Sequence, residues 1–380
     1  MTTSADIGKV AGAGVRRASN RFAWDYALLA ERLGPPVKPI IDVHAHVNGP
    51  EATRVFDAVR RRFGVERVYS MSQFAQCDAV QQVMGDAVRF TAFPVFSGSD
   101  KNAAHRREYL DLLEKYRIRY GSRMLKLWAS PRLRDIIPDT AGLPWGATDL
   151  IEIDSPWRVK VCQKGVELGM MFMVHIADPD TWFATKYANP GVYGTKAQQY
   201  EGLERMLDRF QSPWIAAHMG GWPEDIAFLD GLLSRHPNLH LDTSATKWVV
   251  RALGSQPTPA VRAFFRKWTG RILFGSDIVV QDDHLRPSKS GPTPMGDLAD
   301  SPEAADDLYA SRYWALRTMF ETDYDDQSPI ADPDLKLIDP ARHDDDSAPR
   351  LGGLSLEPDL LASIYHDAAA DLVEAWWSRP

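Results

Sequence analysis

The chain has 380 residues, 44% hydrophobic and 25% charged, and a net charge of −7. That balance suits a folded protein with a sizeable core, and the absence of a Lys/Arg block argues against nucleic acid or an anionic membrane as partner. The longest apolar runs are too short to span a bilayer. Two cysteines, Cys77 and Cys162, exclude a disulfide framework, and no apolar run follows Arg16-Arg17, so a cytoplasmic protein is expected.

Residues 1–20 are rich in Ala, Gly and Ser and are expected to be poorly ordered. A short helix over 22–33 stops at Gly34-Pro35-Pro36. The first strand, Ile40-Ile41-Asp42-Val43-His44-Ala45-His46, places Asp42, His44 and His46 on one face. A helix over 51–63, a strand over 66–71, a helix over 78–85 and a strand over 88–96 follow. Then come a helix over 102–116, a strand over 123–128, a helix over 157–168 and a strand over 170–176 that is apolar until His175. The pattern continues with a helix over 197–210, a strand over 214–218 ending in His218, a helix over 225–235 and a strand over 239–243. A helix over 260–268 and a strand over 271–277, apolar until Asp277, complete it.

Strand and helix alternate eight times, which predicts a parallel α/β sheet and specifically a (β/α)8 TIM barrel over 37–280. Residues 1–36 read as an N-terminal extension with its short helix. Residues 281–380 read as an acidic insertion after strand 8 plus C-terminal helices, packed on the barrel in one domain. The stretch 281–352, built round a helix over 304–320, reads as either an active-site cover or a surface extension. Residues 177–196 form an aromatic loop directly after His175.

In such a barrel, catalytic groups project from the C-terminal strand ends. His44, His46, Lys126, His175, His218 and Asp277 occupy those ends. Each alone reads as a hydrogen-bonded core group. Together, three imidazoles and a carboxylate suit one divalent ion, Zn²⁺ first and Mn²⁺, Fe²⁺ or Co²⁺ as alternatives. Asp42 lies deeper on the same face and reads either as an acceptor for an imidazole N–H or as a structural group. Asp242-Thr243-Ser244 either touches substrate or caps the next helix. Trp182, Tyr187, Trp222 and Trp248 either wall a pocket for a flat substrate or form loop cores, while His284, Arg312 and Arg317 are candidate carboxylate binders that the sequence cannot place.

At Ile-Asp-Val-His44-Ala-His46, the His175 strand, Ala-His218-Met-Gly-Gly and Leu-Phe-Gly-Ser-Asp277, the chain resembles the amidohydrolase superfamily. It is similar to the amidohydrolase-related branch that includes aminocarboxymuconate semialdehyde decarboxylase. The likeness runs from Ile40 to Asp277 and resumes at 364–369, although Asp367-Ala368-Ala369-Ala370-Asp371 stands where the branch has Asn-Ala-x-Arg. The resemblance implies one metal held by His44, His46, His175 and Asp277, with His218 as catalytic acid/base and Asp277 able to shuttle a proton. In binuclear members a carbamylated Lys of the fourth strand bridges two metals. Lys126 sits on the matching strand, and reads alternatively as an unmodified substrate-orienting Lys, a partner of Asp277 or a structural residue.

These readings lead to a metal-dependent hydrolase in which metal-bound water attacks an amide, ester or lactone of a small molecule. Non-oxidative decarboxylation of an aromatic or unsaturated acid, with His218 as proton donor, is the alternative on the same ligands. A non-catalytic barrel with a structural metal is a third reading. Homo-oligomers are common in the family, and the sequence shows no interface.

Overall fold

The computed structural model describes residues 15–95, 100–287, 295 and 298–379. Strands and helices follow in the expected alternation: α1 (Tyr26–Leu33), β1 (Ile40–Val47), α2 (Pro50–Arg62), β2 (Val65–Ser70), α3 (Cys77–Met84), β3 (Val88–Phe90), α4 (Arg107–Tyr120), β4 (Met124–Trp128), α5 (Pro156–Glu167), β5 (Met171–His175). Then come α6 (Lys196–Arg209), β6 (Trp214–Ala216), α7 (Ile226–Arg235), β7 (Leu239–Asp242), α8 (Thr246–Gly254), α9 (Thr258–Lys267), β8 (Ile272–Leu273), β9 (Ile278–Val280), α10 (Pro302–Glu321), β10 (Asp325–Gln327) and β11 (Arg350–Gly352). The chain is therefore α/β with parallel strands. It divides into two compact units: residues 1–88 with 243–370, and residues 89–242 with 371–380.

In the first unit β1 is the middle strand, parallel to β2 on one side and β9 on the other. Ile40, Ile41, Val43, Ala45 and Val47 are all buried, so both faces of β1 are covered, as parallel strands require. The stretch 281–352 was expected as a whole either to cover the site or to extend over the surface, and α10 is its central helix. Instead it lies in the core of this unit, packed on α1, α2 and α8, with Tyr309, Tyr313, Trp314 and Phe320 fully buried. Its Ser301 cap accepts from Ala304 N and Pro302 occupies the first turn. The N-terminal stretch expected to be poorly ordered lies outside the described residues over 1–14. From Arg17 it is ordered: Arg17 and Asn20 exchange backbone bonds, and buried Asn20 brackets Trp24 through both amide atoms.

In the second unit β4, β5, β6 and β7 pair in parallel, in sequence order. Their strands are short apolar runs buried on both faces. Helix starts follow local chemistry: Thr195 and Gln198 form a capping box on α6, and Asp225 accepts from Phe228 N at α7.

Three expected strands are shorter in the structure. The strand expected over 88–96 ends at Phe90, with Ala92 making a single bridge to Leu125 and Phe96 outside the described residues. The strand expected to carry His218 stops at Ala216, and the one expected to carry Asp277 stops at Leu273. Both residues sit on turns instead. Sequence reading also missed α8 and β9, whose apolar residues merge with neighbouring strand patterns.

Candidate metal centre

In the first unit His44 and His46 project from β1, and Asp277 meets them from the turn between β8 and β9. His44 Nε2 lies 3.4 Å and His46 Nε2 3.3 Å from Asp277 Oδ1. The three ligand atoms form a group of the size that holds a metal ion. His44 is buried, while the His46 and Asp277 side chains keep 20% and 27% of their surface, so the cluster is open on one side.

The turn brings Asp277 there by backbone bonds: Ser276 N and Asp277 N both donate to His44 O, at 3.2 and 2.7 Å. Asp277 adopts φ 56°, the left-handed region that costs an L-residue about 1–2 kcal/mol and that Asp tolerates better than most. The conformation turns its carboxylate away from strand direction and toward the two imidazoles.

Asp42 anchors this arrangement from below. It is fully buried and accepts four hydrogen bonds, from His44 N (3.1 Å), Ser276 N (3.1 Å), Ser276 Oγ (2.6 Å) and Tyr313 Oη (2.9 Å). No imidazole N–H is among them, so Asp42 fixes the backbone beneath His44 and the Ser276–Asp277 turn. Burial pushes its carboxyl up to about 6 in spite of those donors.

Ser244 Oγ lies 3.0 Å from His44 Nδ1. A proton on Nδ1 donated to this hydroxyl leaves the Nε2 lone pair facing Asp277, the tautomer a metal ligand needs. Thr243 Oγ1 bonds Gly275 O and receives Gly275 N. Neither residue caps α8, whose first turn has no side-chain cap. The capping role expected for this segment is therefore not the one these residues play.

In the second unit His175 ends β5 opposite Trp128 of β4, and the two rings stack with centroids 5.6 Å apart. His175 Nε2 is 3.2 Å from Asp178 Oδ1, and Asp178, fully buried, accepts Arg132 N through Oδ2 at 2.9 Å. His218 lies in a left-handed turn with φ 60°, followed by Met219 at 50°. Its backbone N–H donates to Asp242 Oδ1 at 2.9 Å, and its Nε2 lies 3.3 Å from His175 Nδ1, with the rings edge to face. Lys126 is buried in the middle of β4, where its main chain bonds Ala92 O and Tyr109 Oη.

The aromatic candidates separate. Tyr187 is buried, with its hydroxyl on Asp135 Oδ2 at 2.7 Å and its ring against Trp182 and Tyr193, so it serves the interior of its own loop. Trp222 stacks on Tyr200 and packs on Phe228. Trp248 is buried in α8. Trp182 is half-buried, with the Arg132 guanidinium 5.2 Å and the Lys186 ammonium 3.8 Å from its ring centre. Among the described residues the Arg132 guanidinium makes no hydrogen bond or ion pair. Of the earlier carboxylate candidates, Arg317 is committed to Glu321 and His284 to Tyr309 and Met295, while Arg312 donates to Leu308 O and Ser311.

Sequence reading missed Asp178 and Arg132, and did not give Ser244 its role beside His44. Their signals are only a polar residue just after a strand end, which many loops share.

The two imidazole nitrogens from one face of β1 and the carboxylate oxygen from the facing turn are the donor types that a divalent cation takes. The residues present therefore fit a metal ion. No helix of the described residues is long and apolar enough to cross a membrane.

No family model matches the sequence, and no curated protein matches it. Among solved structures, the chain is similar to an uncharacterised TIM-barrel protein from Bordetella bronchiseptica at 14% identity, covering 90% of this chain and 99% of that one, with a TM-score of 0.47. It is also similar to a probable 2-pyrone-4,6-dicarboxylic acid hydrolase from Acinetobacter baumannii at 11% identity, covering 88% and 98%, with a TM-score of 0.43. A third is 2,6-dihydroxybenzoate decarboxylase from Rhizobium, at 13% identity, covering 73% and 99%, with a TM-score of 0.39. Hydrolases and decarboxylases thus both occur among the neighbours, and at these values neither activity is assigned to the chain.

Proposed function

We propose that this chain is a metal-dependent hydrolase of a small-molecule amide, ester or lactone. The observation that carries the reading is the convergence of His44 Nε2 and His46 Nε2 on Asp277 Oδ1. These three residues would hold one divalent ion, most simply zinc. A bound ion there supplies Lewis acidity and makes water a nucleophile near neutral pH.

The chain's own residues do the rest. Ser244 holds His44 in the ligand tautomer, and Asp42 holds the backbone that presents both His44 and Asp277. His218 is the acid/base: a strained left-handed turn whose N–H is tied to Asp242 sets its position, and its ring would move a proton at the reacting bond. Asp277 accepts the proton released from water. Lys126 orients substrate in its unmodified form.

One observation favours a second reading. Arg132, beside Trp182 and tied through its backbone to Asp178, is a cation with no ion-pair partner among the described residues. A carboxylate on a flat substrate suits it, and such a substrate is also what a decarboxylase takes, with His218 protonating the carbon that loses CO₂. Metal-reconstituted protein screened with amides, lactones and aromatic carboxylates side by side separates the two. Uptake of water into the product supports the hydrolase, and CO₂ release without it replaces that reading with the decarboxylase. Elemental analysis is expected to give one ion per chain; two would revive a carbamylated, bridging Lys126.

A further inference from the structure

The second unit contains a cavity of about 310 Å³, at the small end of the roughly 300–1,000 Å³ range of ligand pockets. Trp145, Asp154, Ser155, Gln198, Glu201 and Gly202 line it. It lies between the start of α5 and the first turns of α6, and none of its residues belongs to the metal centre.

Ser155 is the N-cap residue of α5, yet its hydroxyl makes no cap bond. Serine at this position ordinarily accepts from the second or third helical N–H. Here Pro156 has no N–H, and Trp157 N donates instead to Asp149 O. The Ser155 Oγ is buried without a protein partner, in a residue 6% exposed that lines the cavity. A buried hydroxyl left unmatched is costly, and a ligand hydroxyl would supply the missing partner.

Around it stand both kinds of hydrogen-bonding group. Asp154 uses Oδ2 for Arg205 and keeps Oδ1. Glu201 makes no hydrogen bond or ion pair among the described residues. Gln198 spends Oε1 on Thr195 N and keeps its NH₂. Gly202 in the interior of α6 leaves space that a methyl would fill, 3.0 Å from Asp154 Oδ1, at a position where glycine otherwise weakens a helix.

We infer that this cavity binds a small polyol, a monosaccharide or cyclitol. Each ligand hydroxyl both donates and accepts, so vicinal hydroxyls satisfy the carboxylates, the amide and Ser155 together, and the Trp145 ring supplies an apolar face for ring C–H groups. An ammonium ligand would meet the carboxylates but leave the Gln198 NH₂ without an acceptor. The Trp145 backbone N–H donates to Gly191 O, so one wall of the cavity is tied to the segment that follows His175.

Saturation-transfer NMR and calorimetry with D-glucose, D-galactose, D-mannose, myo-inositol and 1,5-diaminopentane test this on the full chain. At least one polyol is expected to bind without competition from the diamine, and Glu201→Ala and Ser155→Ala are each expected to raise its Kd about tenfold. Glu201 is exposed and supports no other residue, so its variant folds, which a thermal melt verifies. Three results would overturn the inference: none of the four polyols binds, both variants bind as the parent does, or the diamine alone binds.

Discussion

Asp42→Ala tests how the His44–His46–Asp277 cluster is built. Removing the carboxylate takes an acceptor from four donors, but not equally. Ser276 N and Ser276 Oγ have His44 O to fall back on, at 3.2 and 3.4 Å. His44 N–H and the Tyr313 hydroxyl lose their carboxylate acceptor in a fully buried setting. At about 1–3 kcal/mol for each buried donor left unmatched, the expected destabilisation is about 2–6 kcal/mol. Asp42→Asn should be much milder. Its Oδ1 still receives the two backbone N–H groups, and its NH₂ can donate to the two hydroxyls, which rotate to accept. It also removes the buried charge that desolvation disfavours, and a cost of about 1–2 kcal/mol is expected. Urea unfolding at neutral pH reads both variants, and metal content reads the local effect. Loss of metal should follow the same order, because the backbone under His44 and Asp277 moves only when the acceptor is gone. Equal urea midpoints for Asp42→Ala and the parent would refute the account of this residue as the anchor.

Four further outcomes are expected. Ser244→Ala should weaken metal binding about 10–100-fold with little change in stability, since it frees only the tautomer and ring of His44; unchanged affinity in a competitive chelator titration contradicts that role. His46→Ala should abolish stoichiometric metal, measured by elemental analysis after dialysis. His218→Asn should retain metal while lowering turnover of a verified substrate about 10²–10⁴-fold, and normal turnover would remove it from the chemistry. His105, fully buried beside Arg158, Arg106 and Lys101, is held at about 3 by burial first and by those cations second. Because its folded value is depressed, its stability contribution is complete above the unfolded value near 6.5 and is lost as pH falls from there toward 3, by about 1.4 kcal/mol per unit. Urea midpoints at pH 7.5 and 5.0 should therefore differ less in His105→Gln than in the parent.

Much of the architecture was legible in the sequence because it rests on local periodicity. Apolar runs closed by glycine, and helices opened by Thr195, Asp225 or Ser301, fall within a few residues of where the structure has them. His44 and His46 were legible as a pair because a strand repeats every two residues, and backbone geometry alone then puts both imidazoles on one face. Asp42 showed its face but not its task, since the four donors it receives come from residues 2 to 271 positions away.

What the structure alone decided is how Asp277 and His218 are presented. A period-two pattern carries an apolar run straight into the next polar residue, so both read as the last residue of a strand. Each in fact stands on a left-handed turn, at φ 56° and 60°, a conformation that Asp and His tolerate better than most residues but that an apolar strand pattern does not signal. Tertiary bonds hold them there: His44 O takes Asp277 N, and Asp242 Oδ1 takes His218 N. The sequence by itself determined which residue types could bind a metal and which strand carries the first two. Only the folded backbone, paying for two strained turns with long-range hydrogen bonds, decided that Asp277 meets both histidines within 3.4 Å.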